Sequence, residues 1–270
     1  MNEPILARRD GAVQILTLNN PAARNALTPE VYAALPAALK QAQDDPEVGA
    51  IVLTGAGAAF CAGGDLNRLA QRRAMAQPER RAGIEHLHNM IRALRDCSKP
   101  VIAAVEGAAA GAGLSIALAC DMLVVARNAS FSVAYVKVGL SPDGGATAFL
   151  SEVVSRQVMT ELCLTGRPVT GERMHALGVA NRLAEAGGAL TEAIGMAQAL
   201  AAGPERAIAR IKRLCRYAGE NTLEAQLDLE ADCMSESLGD DEAGEGIRAF
   251  FDKRPADFAA LRRASTVSSH

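Results

Sequence analysis

Three short stretches carry residues whose types and spacing could do chemistry. Cys61-Ala-Gly-Gly-Asp65 and Gly111-Ala-Gly113 are glycine-rich turns with bare backbone. Two such turns together can aim a pair of N–H donors at one oxygen. Preorganised donors of this kind contribute about 3–4 kcal/mol each to an anionic transition state. The third stretch is Gly139-Leu-Ser-Pro-Asp-Gly-Gly145, in which Asp143 is a carboxylate flanked by small residues and available for proton transfer. A bland role competes for Asp143, that of a first-turn helix acid satisfied by the helix dipole. Asp65 reads as an acid that fixes its own loop by accepting local N–H groups.

Other chemistries fit less well. Gly55-Ala-Gly57 follows a strand, but Phe60 stands where a dinucleotide loop needs its third small residue, and no phosphate-binding Walker loop occurs. Gly113-Leu-Ser115-Ile-Ala117 approximates a nucleophile elbow with Ala in the last glycine position. A serine nucleophile needs a base, and the downstream histidines are His175, inside a helical pattern, and His270 at the tail. His86 and His88 read as solvent-facing, and no metal-ligand spacing is present. The six cysteines, Cys61, Cys97, Cys120, Cys163, Cys215 and Cys233, form no CxxC pair and read as buried reduced thiols of a cytoplasmic protein.

The elements that must position these residues alternate between strand and helix. Pro4–Arg9 and Ala12–Leu18 form a hairpin about Asp10-Gly11. Thr28-Pro29-Glu30 starts a helix running to about Gln43, with Thr28 as cap. Ala50–Thr54 is a buried strand, and residues 66–98 are a charged helical cover. Pro100–Val105 is a buried strand from which Gly107–Gly113 lead straight into a helix. Asp121–Ala126 and Phe131–Gly139 read as strands, and Ser141 opens a helix with Pro142 in its first turn. A helical hairpin near 156–178 precedes a short strand over Gly178–Leu183, and nearly everything after Gly187 is helical. The pattern predicts an α/β core over 1–200 and an all-helical region over 201–270.

Composition narrows the function. The net charge of −3 gives no electrostatic case for nucleic acid, and with no Trp and three Tyr there is no base-stacking platform. Gln71-Arg-Arg and Pro78-Glu-Arg-Arg read as solvated helix faces. No apolar run approaches the ~20 residues of a membrane span, and Met1–Asp10 lacks the apolar core of a secretory leader.

With those residues in place, the chain resembles the crotonase (enoyl-CoA hydratase/isomerase) superfamily. The resemblance rests on Asn20-Pro-Ala-Ala-Arg-Asn-Ala-Leu27, Phe60-Cys-Ala-Gly-Gly-Asp-Leu66, Pro100-Val-Ile-Ala-Ala-Val-Glu-Gly107, Gly111-Ala-Gly113, Ala119-Cys-Asp121 and Glu245-Gly-Ile-Arg-Ala-Phe-Phe-Asp-Lys-Arg-Pro255. Each is modest alone, but their order and spacing span nearly the whole length. The resemblance implies a spiral of ββα units with a C-terminal helical trimerisation region, in a homotrimer or a dimer of trimers. It implies an acyl-CoA thioester held by the N–H groups of Gly64 and Ala112. Arg24, Ala26, Ala62, Asp65 and Leu66 would lie along the coenzyme A path. Phe250 and Lys253 resemble tail residues that touch coenzyme A, including that of a neighbouring subunit.

The departures decide the expected activity. The two glutamates of the family's hydratases fall here at Ser115 and Tyr135, neither of which replaces a carboxylate near neutral pH. The segment around Asp143 resembles that of epoxyphenylacetyl-CoA and related enoyl-CoA isomerases, where an aspartate shuttles the proton. A dehalogenase branch places an aspartate nearby too, but with aromatic groups that are few here. The expectation is double-bond isomerisation by Asp143, with no metal and no cofactor beyond the coenzyme A of the substrate. An atypical enoyl-CoA hydratase and a catalytically silent acyl-CoA-binding homologue are the alternatives.

Overall fold

Asp10-Gly11 reverses the chain between β1 (Ile5–Asp10) and β2 (Val13–Leu18), which pair antiparallel along their full lengths. These and all later elements come from a computed structural model that describes residues 3–267. After α1 (Pro29–Asp44) the chain enters β3 (Ala50–Gly55), parallel to β2. Two helices, α2 (Leu66–Arg72) and α3 (Gln77–Asp96), precede β4 (Val101–Val105). Then come β5 (Ala108–Ala110), α4 (Ala112–Ala119), β6 (Met122–Ala126) and β7 (Ser130–Ser132). The helices α5 (Ala146–Val153) and α6 (Arg156–Thr165) lead to β8 (Val169–Thr170), α7 (Gly171–Ala176) and β9 (Arg182–Ala184).

The strands form a six-stranded sheet in the order β1-β2-β3-β4-β6-β9 and a three-stranded sheet in the order β5-β7-β8. In the larger sheet every pairing after the hairpin is parallel. Parallel strands covered on both faces read as continuous apolar runs, and Val101–Val105 is buried at every residue. One cover is α8 (Ala189–Ala201), which packs on β3, β4 and β6. Its buried residues are Ala189, Ala193, Ala197 and Ala201, a stripe of small side chains at every fourth position. Glu106 fixes the start of α8 by accepting from the N–H groups of Gly187 and Ala189, at 3.2 and 2.9 Å.

The expected helical tail follows as α9 (Glu205–Tyr217), α10 (Leu223–Leu238), α11 (Asp241–Phe251) and α12 (Phe258–Val267). Lys99, 1% exposed, donates to the carbonyls of Ala42 and Asp45 at 3.0 and 2.5 Å, and its Nζ lies 4.0 Å from Glu205. Lys212 donates to the carbonyls of Cys97 and Lys99 and pairs with Asp121 at 2.6 Å. Among the described residues no helix is long and apolar enough to cross a membrane.

Four local expectations need correction, each because pairing or backbone sterics override the local pattern. The small residues after Gly107 first form β5, because their backbone finds partners in β7 and in Cys61. The stretch from Phe131 stays extended only to Ser132, since its partners β5 and β8 are three and two residues long; Ala134–Val138 then winds into a 3-10 turn. The helix after Ser141 begins at Ala146, because Gly144 and Gly145 sit at φ +62° and +81°, outside the right-handed helical region. Asp143 is therefore a turn residue and not a first-turn helix acid. The hairpin near 156–178 is interrupted by β8, whose antiparallel pairing with β7 holds it extended. Thr28 caps α1 by its extended backbone, without a side-chain hydrogen bond to the helix N–H groups.

Candidate active site

Two loops are pinned together by a residue the sequence motif contains but does not explain. Asn25, 2% exposed and at φ 56°, accepts from the N–H of Asn20 at 2.9 Å. Its Nδ2 donates to the carbonyls of Ala56 and Ala59, at 2.9 and 2.7 Å. The 20–27 loop is thereby tied to the 56–60 loop, and Leu27 N–H bonding to the Gly63 carbonyl at 2.8 Å extends the seam. Cys61 closes it by exchanging backbone hydrogen bonds with Ala108 and Ala110. Burial pushes the Cys61 thiol up to about 12, so it is an inert packing group.

That seam brings the two glycine-rich turns into contact. A Cβ on Gly113 would fall 2.2 Å from the Cys61 carbonyl oxygen, so only glycine lets the first turn of α4 lie against the loop. A Cβ on Gly63 would stand 3.3 Å from the Ala112 nitrogen. The N–H groups of Gly64 and Ala112 make no hydrogen bond to an acceptor among the described residues. Both residues line one cavity of about 630 Å³. An oxygen seated between these amides gains two donors that the fold leaves unused.

Asp143 lines the same cavity. Its turn runs tightly over α4: a Cβ on Gly144 would meet Ser115 Cβ and Leu87 Cδ2 at 3.0 Å. The Ser115 hydroxyl donates to the Asp143 carbonyl at 3.0 Å, and the Tyr135 hydroxyl donates to Asp143 Oδ1 at 2.7 Å. Burial, and after it the neighbouring Asp143 charge, hold the Tyr135 hydroxyl well above its ordinary titration range, so it stays a proton donor. One carboxylate oxygen is thus engaged by a phenol while Oδ2 faces no protein donor among the described residues. Tyr32 adds a half-buried ring whose hydroxyl burial pushes up to about 12, within the fields of Arg72 and Asp143.

The remaining candidates divide by location. Leu66 lines the cavity, 60% exposed. Arg24, Ala26, Ala62 and Asp65 do not line it; Ala62 N–H donates to the Arg24 carbonyl at 2.9 Å, which ties the 20–27 loop to the loop that carries Gly64. Asp65 is the N-cap of α2, accepting from Asn67 N–H at 2.9 Å, which is the loop-fixing role its sequence context implies. Phe250 and Lys253 lie at the exposed end of α11 and do not line the cavity within one chain. Ser115 is fully buried, and none of the described histidines hydrogen-bonds to it, which removes the serine-nucleophile reading; His270 lies outside the described residues.

Several readings change here. His86 is exposed, but His88 is half-buried, lines the cavity and pairs with Glu85 at 3.5 Å. Arg72, Arg73, Arg80 and Arg81 also line the cavity; Arg73, Arg80 and Arg81 are exposed, as expected of solvated faces, while Arg72 is half-buried. Cys61, Cys97, Cys120 and Cys233 are buried, whereas Cys163 is partly so and Cys215 is exposed; all six are free thiols. The part played by Tyr135 went unseen because its position reads as a lost carboxylate, and only the fold shows what the phenol touches.

The α/β core, with Gly64, Ala112 and Asp143 lining a single cavity and a helical C-terminal region, has the crotonase fold of acyl-CoA enzymes. The chain belongs to the enoyl-CoA hydratase/isomerase family, whose sequence profile matches residues 8–261. It is 37% identical over 259 residues to the 1,2-epoxyphenylacetyl-CoA isomerase of Escherichia coli (strain K12), covering 96% of this chain and 99% of that one. It is 32% identical over 259 residues to the 2,3-dehydroadipyl-CoA hydratase of the same organism, with the same coverages. The crystal structure of an enoyl-CoA hydratase from Polaromonas sp. JS666 superposes with a TM-score of 0.91 at 48% identity, covering 93% of this chain and 98% of that one.

Proposed function

We propose that the protein moves a carbon–carbon double bond within an acyl-CoA thioester. The thioester oxygen sits between the N–H groups of Gly64 and Ala112. Withdrawal of charge onto that oxygen acidifies the neighbouring C–H, and Asp143 Oδ2 takes the proton. The C–H electron pair becomes the enolate, whose oxygen the two amides stabilise. Asp143 then returns the proton to the other end of the allylic system, and the double bond has moved. Atoms and electrons balance without an oxidant, so coenzyme A enters as part of the substrate and no further cofactor is called for. The observation that carries this reading is the joint presence, in one cavity, of two amides without internal acceptors and one carboxylate with a single oxygen uncommitted.

Hydration is the second reading, favoured by the name of the dehydroadipyl-CoA relative. It needs a group to activate water and another to protonate carbon. The other carboxylate lining the cavity is Glu85, which is bonded to Arg92 and His88. A silent acyl-CoA binder is the third. The same proposal includes Arg24, Ala26, Ala62, Asp65 and Leu66 along the coenzyme A path. It also includes a homotrimer or dimer of trimers in which Phe250 and Lys253 reach a neighbour's substrate; Phe250 and Phe251 are 79% and 74% exposed, an apolar face for such an assembly.

The test is Asp143→Asn in heavy water with a panel of enoyl-CoA esters. The wild type is expected to incorporate deuterium and shift the double bond without gaining the mass of water. The variant is expected to lose roughly 10³-fold in exchange while its Kd for the ester stays within about threefold. Full exchange by the variant overturns the assignment, a gain of water by the wild type supports hydration, and no exchange by the wild type supports the silent binder.

A further inference from the structure

Beyond Asp143 the cavity is strongly basic, and its charges are unmatched. Arg72, Arg73, Arg80 and Arg81 line it, and none of the four is ion-paired among the described residues. The nearby acids are engaged elsewhere: Glu85 with Arg92 and His88, and Glu79 with the N–H of Ala76. Arg72 is seated with care. It is half-buried, and its Nη1 donates to the Gly83 carbonyl at 3.3 Å. A Cβ on Gly83 would stand 3.0 Å from the Arg72 Cζ and 3.2 Å from Nε and Nη1. Gly83 lies inside α3, where glycine is unfavourable relative to alanine. The Arg72 guanidinium rests on this bare stretch of helix. The remaining N–H groups of that fork have no acceptor among the described residues.

We propose that the acyl group of the substrate carries a second anion, a carboxylate at the end remote from the thioester, and that Arg72 with Arg80 and Arg81 selects it. This rests on the acyl-CoA reading of the same cavity. Leu66 and Arg72 are separated along α2 by about 9 Å at 1.5 Å per residue. Arg72 therefore stands a full helix length from the loop that carries the Gly64 amide. A planar guanidinium binds carboxylate through two parallel hydrogen bonds, and such charge-assisted pairs are the strong ones. The phosphates of coenzyme A offer the same anionic chemistry, so the experiment separates the two sources.

The measurement is calorimetric binding of two saturated six-carbon acyl-CoA thioesters, one ending in methyl and one in carboxylate, which are not turned over. The wild type is expected to bind the carboxylate-ended ester more tightly by about 10- to 100-fold. Arg72→Gln is expected to erase most of that advantage, whereas Gly83→Ala, which shifts the guanidinium by only a few tenths of an ångström, is expected to keep most of it. Affinity for the methyl-ended ester should stay within about twofold. Equal affinity of the wild type for both ligands overturns the proposal. So does an equal loss on both ligands that vanishes with the corresponding pantetheine thioesters, which would assign the arginines to the phosphates. Because binding alone is read, this result is independent of whether Asp143 moves a proton.

Discussion

Asp143 is restrained through one oxygen and through its own carbonyl, by Tyr135 and Ser115 respectively. A base that shuttles a proton between two carbons gains from this, because the unbound oxygen is held in one orientation while the first stays hydrogen-bonded throughout. Tyr135→Phe removes the phenolic donor and keeps the ring. It is expected to lower kcat for double-bond migration roughly tenfold while leaving KM within about twofold. A drop confined to KM would assign the tyrosine to substrate binding instead. The sequence leaves Asp143 open between a helix acid and a proton-transfer group; the positive φ of Gly144 and Gly145 removes the first, because the helix begins only at Ala146. The part of the tyrosine was not legible, because nothing local says that residue 135 faces residue 143 across a turn. Of the arginines only Arg72 departs from a solvated face, because its guanidinium meets Gly83 eleven residues on, a contact no local pattern announces.

At the scale of elements, the site depends on loops made to lie side by side. Asn25 does most of this, using every polar atom of its side chain and a left-handed backbone that asparagine tolerates better than alanine. Asn25→Ala leaves the Ala56 and Ala59 carbonyls and the Asn20 N–H without this partner. It is expected to cost about 2–4 kcal/mol in urea melts and to lower deuterium exchange in step with the misplaced Gly64 amide. Unchanged stability would show that the loops are held by other means. The strands β3 and β4 and the hairpin were readable because buried parallel strands are continuous apolar runs and Asp-Gly is a turn signal. The misplaced boundaries all follow Gly107, where three alanines have no preference of their own and the register of a distant β7 decides. Turn glycines at 144 and 145 likewise announce a break but not how far it defers the helix.

Over the whole molecule, the tail is stabilised by ion pairs with defined pH limits. Glu245 accepts both ends of the Arg254 fork at 2.7 and 3.0 Å and the N–H of Asp257 at 3.0 Å. These hydrogen bonds hold its carboxyl down at about 2, against an ordinary value of 4.5. A carboxylate with a lowered folded value contributes stability that is complete above its unfolded value and is lost as pH falls through the folded one. The advantage of wild type over Glu245→Gln in urea midpoint is therefore expected to be constant from pH 7 to about 5. It should then shrink between about pH 4.5 and 2. A constant difference down to pH 2 would assign the effect of the substitution to packing.

The junction between core and tail has a consequence for chimaeras. Two lysine ammonium groups, of Lys99 in the core and Lys212 in the tail, sit among main-chain carbonyls of the core, with Glu205 and Asp121 as their counter-charges. Transplanting a foreign C-terminal segment onto this core would leave the Lys99 ammonium its two core carbonyls but take away its counter-charge unless the donor carries an acid matching Glu205. It would also strip the carbonyls of Cys97 and Lys99 of their donor unless a cation comes in at position 212. Compatibility between grafted parts is thus written in two polar positions rather than in the oily faces around them.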